Sequence, residues 1–279
     1  KLPRMMLRAR LLPCTVFTDQ KMRRLQADLV PTDIDLGELR KAIKANGFTA
    51  VRRVGLTGPS DLERFVAQLG PLVFTPGERP LSGTTHVFEV SNINRRAQVK
   101  SVWHTDTSYV KAPPVITVLA AVKVPRSGGD TLVLDQRKAA ADADAGLVEA
   151  LEGVELLHVA SRVRCPDETG AGTWHPALRS VGGEHSVALY LGARERIAGA
   201  RRRGVALDPL ETSELIDAAF SQASAAAPAR HRWASGDLLF IDNRITLHAA
   251  DHANVAGDRV LHRVTCGSEV PIAASSYGR

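Results

Sequence analysis

Two residues in Trp103-His104-Thr105-Asp106 raise the first question of chemistry. On an extended segment, residues two apart point to the same side. An imidazole and a carboxylate placed this way can reach one metal ion. A third ligand from another strand would complete a facial triad with open positions, and that donor set suits non-haem Fe(II). The pair alone says little. In a chain with nine His, a His-x-Asp arises readily by chance, and His104 reads equally well as a hydrogen-bonded strand histidine.

A second group lies further on. Gly236 to Ile241 reads as a strand running into the polar turn Asp242-Asn243-Arg244, with His248 beyond it. Arg259-Val260-Leu261-His262-Arg263-Val264 begins eleven residues after His248. As a strand, this segment puts Arg259, Leu261 and Arg263 on one face and His262 on the other. Two arginines facing an interior are costly without anions. A carboxylate matches the planar guanidinium fork and is the natural partner. An edge strand with two surface arginines fits the same letters, and the residues alone leave both readings open.

The elements that must position these groups are signalled unevenly. A helix is predicted over Asp35 to Asn46, with Leu36, Leu39 and Ile43 on one face and Gly47 as its stop. A second is predicted to start with Ser60 and Glu63 as a capping box, to bury Leu62, Phe65, Val66 and Leu69, and to end at Gly70. Strands are expected over His86–Val90, Val115–Val124, Thr131–Leu134, Ser186–Leu191, Asp237–Ile241 and Arg259–Thr265. Gly128-Gly129-Asp130 is the turn before Thr131. Two further helices are expected: Lys138 to Leu151, and Asp208 to about Ala225 with Asp208 as N-cap and Pro209 at the first position. Short strands between turn signals point to a sandwich or barrel. The Ala-rich helices read as flanking cover, with a contact between copies of the chain left open.

Composition narrows the classes. At 279 residues with 44% hydrophobic content, one α/β or β-rich domain spanning 1–279 is expected. The formal net charge is +6, but basic residues cluster only as Arg201-Arg202-Arg203 and Arg95-Arg96, so no nucleic-acid partner is expected. Cys14, Cys165 and Cys266 are dispersed, which argues against a disulfide framework or structural zinc and fits a reducing cytoplasm. No run of 18 apolar residues predicts a membrane span, and Lys1 to Leu12 lacks the apolar core of a signal peptide. Gly-x-Gly-x-x-Gly and Walker phosphate loops are absent.

Taken in order, several motifs resemble one family. They are Leu69-Gly70-Pro71-Leu72, Trp103 through Tyr109, Ser127-Gly128-Gly129-Asp130-Thr131, His175-Pro176-Ala177-Leu178-Arg179, Gly236-Asp237 through Arg244, His248 and the arginine strand. From about Gly47 to about Thr265 the chain resembles the taurine dioxygenase family of Fe(II)/2-oxoglutarate-dependent oxygenases, which includes 2,4-dichlorophenoxyacetate dioxygenase.

The resemblance implies an α+β fold: a double-stranded β-helix (jelly-roll) core with flanking helices. It implies His104, Asp106 and His248 as iron ligands, and Thr131 and Arg259 as the pair that grips the far carboxylate of 2-oxoglutarate. It places Arg263 against an anionic group of the substrate and Tyr109 in the substrate pocket. O₂ is the second co-substrate. Because Asp106 is retained, hydroxylation or desaturation is implied rather than halogenation. Two departures bear on the substrate. Thr75 stands near the place of a substrate-side histidine, which argues against assuming a sulfonate, and the His158–Trp174 segment is shorter than the family's lid.

Three functions follow for comparison: an oxygenase acting on a small organic anion, a biosynthetic oxygenase acting on an amino acid or natural-product intermediate, and a metal-free binding module. His175, His231, His252 and His262 read as packing or surface residues, and Cys266 as a small buried hydrophobe.

Overall fold

The computed structural model describes residues 31–93, 101–160, 172–182 and 187–274. The basic start of the chain, Cys14, Cys165, Ser186 and most of the shortened lid segment lie outside the described residues.

Five α-helices are present among them: α1 (Leu36–Asn46), α2 (Pro59–Ala67), α3 (Gln136–Ala141), α4 (Ala145–Leu151) and α5 (Pro209–Ala223). The strands are β1 (Phe48–Val51), β2 (Leu72–Val73), β3 (Phe88–Ser91), β4 (Pro114–Lys123), β5 (Thr131–Asp135), β6 (Val154–His158), β7 (Thr173–Pro176) and β8 (Leu178–Ser180). They continue with β9 (Val187–Leu189), β10 (Ile197–Arg202), β11 (Val205–Ala206), β12 (Ala229–His231), β13 (Leu238–Asp242), β14 (Thr246–Ala250) and β15 (Val260–Ser268).

α1 and α5 form where their end signals place them. Asp35 accepts from the amides of Gly37 and Glu38, and Gly47 closes α1 at φ 76°. Asp208 caps α5 in the same way, with Pro209 at its first position.

Two expectations are corrected. The Ser60–Glu63 capping box does not form. Gly58 is the N-cap of α2 and Pro59 the first helical residue, since a residue without an N–H leaves no orphan donor there. Ser60 is thereby drawn inside the first turn, where its hydroxyl donates to the Gly83 carbonyl (3.2 Å). Glu63 reaches across to the 85–86 loop, accepting from Thr85 N (2.9 Å), Thr85 Oγ1 (2.9 Å) and His86 N (2.7 Å). α2 also ends at Ala67, short of Gly70. The single helix expected over Lys138–Leu151 is instead α3 and α4. Asp144 takes an extended conformation and accepts from Leu147 N, so it starts a new helix rather than continuing the old one.

All strand pairings among the described residues are antiparallel. The largest sheet runs β1-β13-β4-β15-β2, with β3 also on β15, and a three-stranded sheet runs β12-β5-β14. The period of two divides the large sheet cleanly. Val118, Ala120, Leu238, Phe240, Val264 and Cys266 pack with α1 and α2 residues such as Leu39 and Phe65. Leu119, Leu239, Ile241 and Leu261 face the other way, onto Val133 of the three-stranded sheet and onto Trp233 just past β12. Cys266 is buried on the helix side, as its small apolar character requires. A third cluster joins α3, α4 and α5 to β6–β10 through Leu151, Leu156, Leu189 and Ile216.

The arginine strand therefore presents Arg259, Leu261 and Arg263 to the space between the two sheets. His262 falls on the opposite, helix-side face, where it is partly buried near Leu62 and Ala120. The Gly128-Gly129 turn closes against this strand. Both glycines have positive φ (70° and 75°), and a Cβ on Gly129 would stand 3.0 Å from Arg259 Cδ. No helix among the described residues is long and apolar enough to cross a membrane.

The Glu63 contacts give a pH-dependent test. Burial alone would raise this carboxyl, but its bonds from Thr85 and His86 outweigh burial and hold it below its ordinary value. A depressed folded-state pKa adds stability above the unfolded value, and that stability is lost as pH falls through the folded value. We expect Glu63→Gln to cost about 1 kcal/mol at neutral pH and the gap from wild type to shrink below about pH 4, read by denaturant unfolding across pH.

Candidate functional site

His104 and His248 face each other across a single antiparallel bridge. His104 N donates to His248 O (3.0 Å), and His248 N donates to His104 O (2.9 Å). The reciprocal pair sets the two imidazoles side by side, with ring centroids 4.3 Å apart. Thr105 is anchored on both sides: its amide donates to Gly192 O (3.1 Å) and its hydroxyl to Thr246 O (3.0 Å). Directly after Asp106 the chain turns at Thr107, a β-branched residue at φ 51°.

Asp106 is 3% exposed, so its charge must be compensated from within. Arg263 Nη1 donates to Oδ1 (3.1 Å), and Thr117 Oγ1 donates to Oδ2 (2.8 Å). Asn243 Nδ2 in turn donates to Thr117 Oγ1 (2.7 Å), which orients that hydroxyl toward the carboxylate. Burial pushes the Asp106 carboxyl upward, but the Arg263 guanidinium holds it well below the usual carboxylate range. His248 is driven the other way. Its burial, with His104 beside it, lowers it to about 3, so the ring is neutral at neutral pH.

His104 Nε2 lies 3.5 Å from Asp106 Oδ1, and His248 Nε2 lies 3.7 Å from Asp106 Oδ2. The three donor atoms fall within 4.8 Å of one another. Those separations exceed ordinary hydrogen bonds, so the groups surround a common point rather than bond each other. His104 Nδ1 lies 2.9 Å from the Val102 carbonyl; donation there leaves Nε2 as the free donor of electrons. Two imidazoles, that of His248 neutral, and one ionised carboxylate converging on one point fit a divalent metal ion of the Fe(II) type.

The second part of the site lies further along the same face. Thr131 pairs with Ala250, two residues past His248, which places it roughly 7 Å along the strand. Thr131 Oγ1 accepts from Trp233 Nε1 (3.1 Å) and from Arg259 Nη2 (3.3 Å). With two donors on its oxygen, the hydroxyl proton is left to donate elsewhere. Arg259 is 3% exposed and its Nε donates to Gly129 O (2.7 Å), which aims the guanidinium along the interior.

Arg263 is placed against the metal-site carboxylate, and its Nη2 donates to Glu78 Oε1 at 2.6 Å. Tyr109 is buried, with the Arg196 guanidinium 5.8 Å from its ring centre. Burial raises its phenol, and it lies close enough to Glu78, Arg263 and Asp106 to feel their charges. Thr75 is buried in the loop that carries Glu78. His175 is structural: its Nε2 sits 3.0 Å from Val110 O. His231 packs edge-on against Trp233 at 4.5 Å.

Thr117, Glu78 and Trp233 were not singled out from the sequence, and Asn243 was read only as part of the polar turn Asp242-Asn243-Arg244. Thr117 carried a signal, as the one hydroxyl in the apolar run Val115 to Val124. Glu78 carried none, because a loop glutamate is ordinary.

The sequence profile described as "Taurine catabolism dioxygenase TauD, TfdA family" matches residues 19–265. The chain belongs to this family. Its relatives include the alpha-ketoglutarate-dependent 2,4-dichlorophenoxyacetate dioxygenase of Cupriavidus pinatubonensis, 31% identical over 179 residues. That match covers 59% of this chain and 59% of the relative, so the chain spans about three fifths of that protein's length. An alpha-ketoglutarate-dependent sulfate ester dioxygenase of Pseudomonas putida is 26% identical over 75% of this chain and 73% of its own. Among solved structures, a taurine dioxygenase from Burkholderia xenovorans aligns at TM-score 0.71 and 25% identity, covering 92% of this chain and 87% of the other. The matched range takes in the convergent histidines and carboxylate described above.

Thr117 tests how far the Asp106 setting matters. Thr117→Val keeps the volume but strips Asp106 Oδ2 of its donor and leaves Asn243 Nδ2 without an acceptor. We expect roughly 1–3 kcal/mol lower stability by thermal or denaturant unfolding. Anaerobic Fe(II) titration should show roughly 10–100-fold weaker metal binding, since outer partners of ligands carry effects of that size. Unchanged metal affinity would remove Thr117 from the site.

Proposed function

We propose that this protein is an Fe(II)- and 2-oxoglutarate-dependent dioxygenase that hydroxylates, or desaturates, a small anionic organic substrate. The observation that carries the reading is the pairing of two groups on one face: the His104–Asp106–His248 convergence, and the Arg259–Thr131 pair one step along the strands. We read the two facing sheets as a double-stranded β-helix core within one domain.

His104, Asp106 and His248 would hold the metal. With O₂ and 2-oxoglutarate, bound Fe(II) supplies the oxidation R–H + 2-oxoglutarate + O₂ → R–OH + succinate + CO₂. The protein's own residues prepare for it. His248 is kept neutral and Asp106 ionised, the states in which each can ligate. Arg259 supplies a fixed positive charge and Thr131 a hydroxyl proton for the far carboxylate of 2-oxoglutarate, a five-carbon diacid able to span the step from the metal ligands. Trp233 fixes that hydroxyl by donating to its oxygen. Arg263 and Tyr109 border the place left for the substrate.

A second reading, a biosynthetic oxygenase acting on an amino acid or natural-product intermediate, draws support from Glu78, which already occupies one edge of Arg263. A metal-free binding module draws none from the neutral-histidine and ionised-carboxylate pattern.

The test is a 2-oxoglutarate-consumption screen over organic acids, sulfonates, sulfate esters and amino acids, with succinate and product mass as readouts. Anaerobic Fe(II) with 2-oxoglutarate should give a visible charge-transfer band that His248→Ala abolishes. Arg259→Gln should raise the 2-oxoglutarate concentration needed by roughly tenfold or more, the scale of a lost bond to a charged group. A protein that neither binds iron nor develops the band would instead be the binding module.

A further inference from the structure

Arg263 is the guanidinium nearest the metal ligands, and both of its terminal nitrogens are engaged. Nη1 serves Asp106, and Nη2 donates to Glu78 at 2.6 Å. The two partners differ in setting. The Asp106 side chain is 4% exposed, whereas the Glu78 side chain is 37% exposed. Glu78 belongs to a turn, its amide bonded to Thr75 O (3.3 Å) next to Gly77 at φ 81°.

An organic anion binding Arg263 therefore competes with a carboxylate that reaches solvent. To bind, it must break a short charge-assisted bond and then sit beside the displaced negative charge. Like charges within a few ångströms disfavour each other, and partial burial sharpens the penalty. A ligand that also carries an ammonium group converts the repulsion into a second ion pair, since Glu78 exchanges one cation for another.

We propose that Glu78 sets the charge selectivity of the substrate end: it is the resting counter-anion of Arg263, and an acid is admitted well only when it brings its own cationic group for Glu78. This rests on the dioxygenase reading above. It assigns a specificity-determining role to a residue that the family motifs do not contain.

The test uses matched ligand pairs of equal length, 4-aminobutanoate against pentanoate and 2-aminoethanesulfonate against propanesulfonate. Binding to the anaerobic Fe(II)–2-oxoglutarate protein is measured by calorimetry. For wild type we expect the amino member of a pair to bind at least tenfold more tightly. In Glu78→Gln, a nearly isosteric change at a half-exposed side chain, the plain acids should gain several-fold and the amino preference should vanish. Glu78→Asp, which keeps the charge, should retain the preference and guards against a merely steric effect. The charge-transfer band of wild type and Glu78→Gln is recorded in parallel. With the band present, equal binding of both members to wild type, no binding by the amino members, or a preference unchanged in Glu78→Gln each overturns the Glu78 role alone. A wild-type protein without the band overturns the dioxygenase reading, and this role with it.

Discussion

The reciprocal backbone bonds between His104 and His248 are the constraint on which the site depends. Ligand side chains cannot converge unless their backbones are already held at the right separation. A hydrogen-bonded antiparallel pair does this without any side-chain contribution. It leaves both imidazoles free to turn toward one point. It also ties a segment outside any named strand to the middle of β14, so both histidines inherit the register of the β5–β14 pairing. Thr131 is then placed along the same face by that register, and Arg259 by the Gly128-Gly129 turn packed against it. One short bridge thus aligns both halves of the site.

The second requirement is charge balance in a buried space. Asp106, Arg263 and Arg259 lie in a space walled largely by apolar residues such as Leu119, Val133, Leu239, Ile241 and Leu261. Each buried charge would cost several kcal/mol unpaired. The interior meets this with paired partners: Arg263 and Thr117 on Asp106, and Gly129 and Thr131 beside Arg259. Arg263 still carries a third contact, with Glu78. These groups interrupt an otherwise apolar sandwich, and such interruptions are where function is expected to override local consistency.

The sequence foretold the parts that have local causes. The arginine strand was readable because period-two alternation forces Arg259 and Arg263 onto the face of Leu261, and the sheet confirms that face as interior. α1 and α5 were readable from Asp35, Gly47, Asp208 and Pro209, whose effects reach only a few residues. The misreadings had competitors of equal rank. Pro59 outbid Ser60 for the start of α2, and Asp144 capped a new helix where alanines favoured one long one. β14 was not read as a strand at all. Its five residues, Thr246 to Ala250, lack the β-branched run of Val115–Val124, and its strand state is imposed by β5 across the sheet. The metal pair was likewise ambiguous locally, because a His-x-Asp acquires meaning only from what the fold brings opposite it.

The two ends of the site also differ in what supports them, and this bears on how far family likeness can reach. The metal and Arg259–Thr131 ends stand on or beside paired strands whose register admits no slip without turning every inward residue outward. The residues proposed to border the substrate are held differently. Tyr109 follows a turn, and Thr75 and Glu78 lie on a loop between β2 and β3. Loops carry variation at little structural cost. A family can therefore share iron and 2-oxoglutarate chemistry closely while its members differ in the molecule oxidised. In this chain a loop carboxylate meets a strand arginine there: Arg263 is held by the sheet and Asp106, while Glu78 reaches it from the loop with a half-exposed side chain.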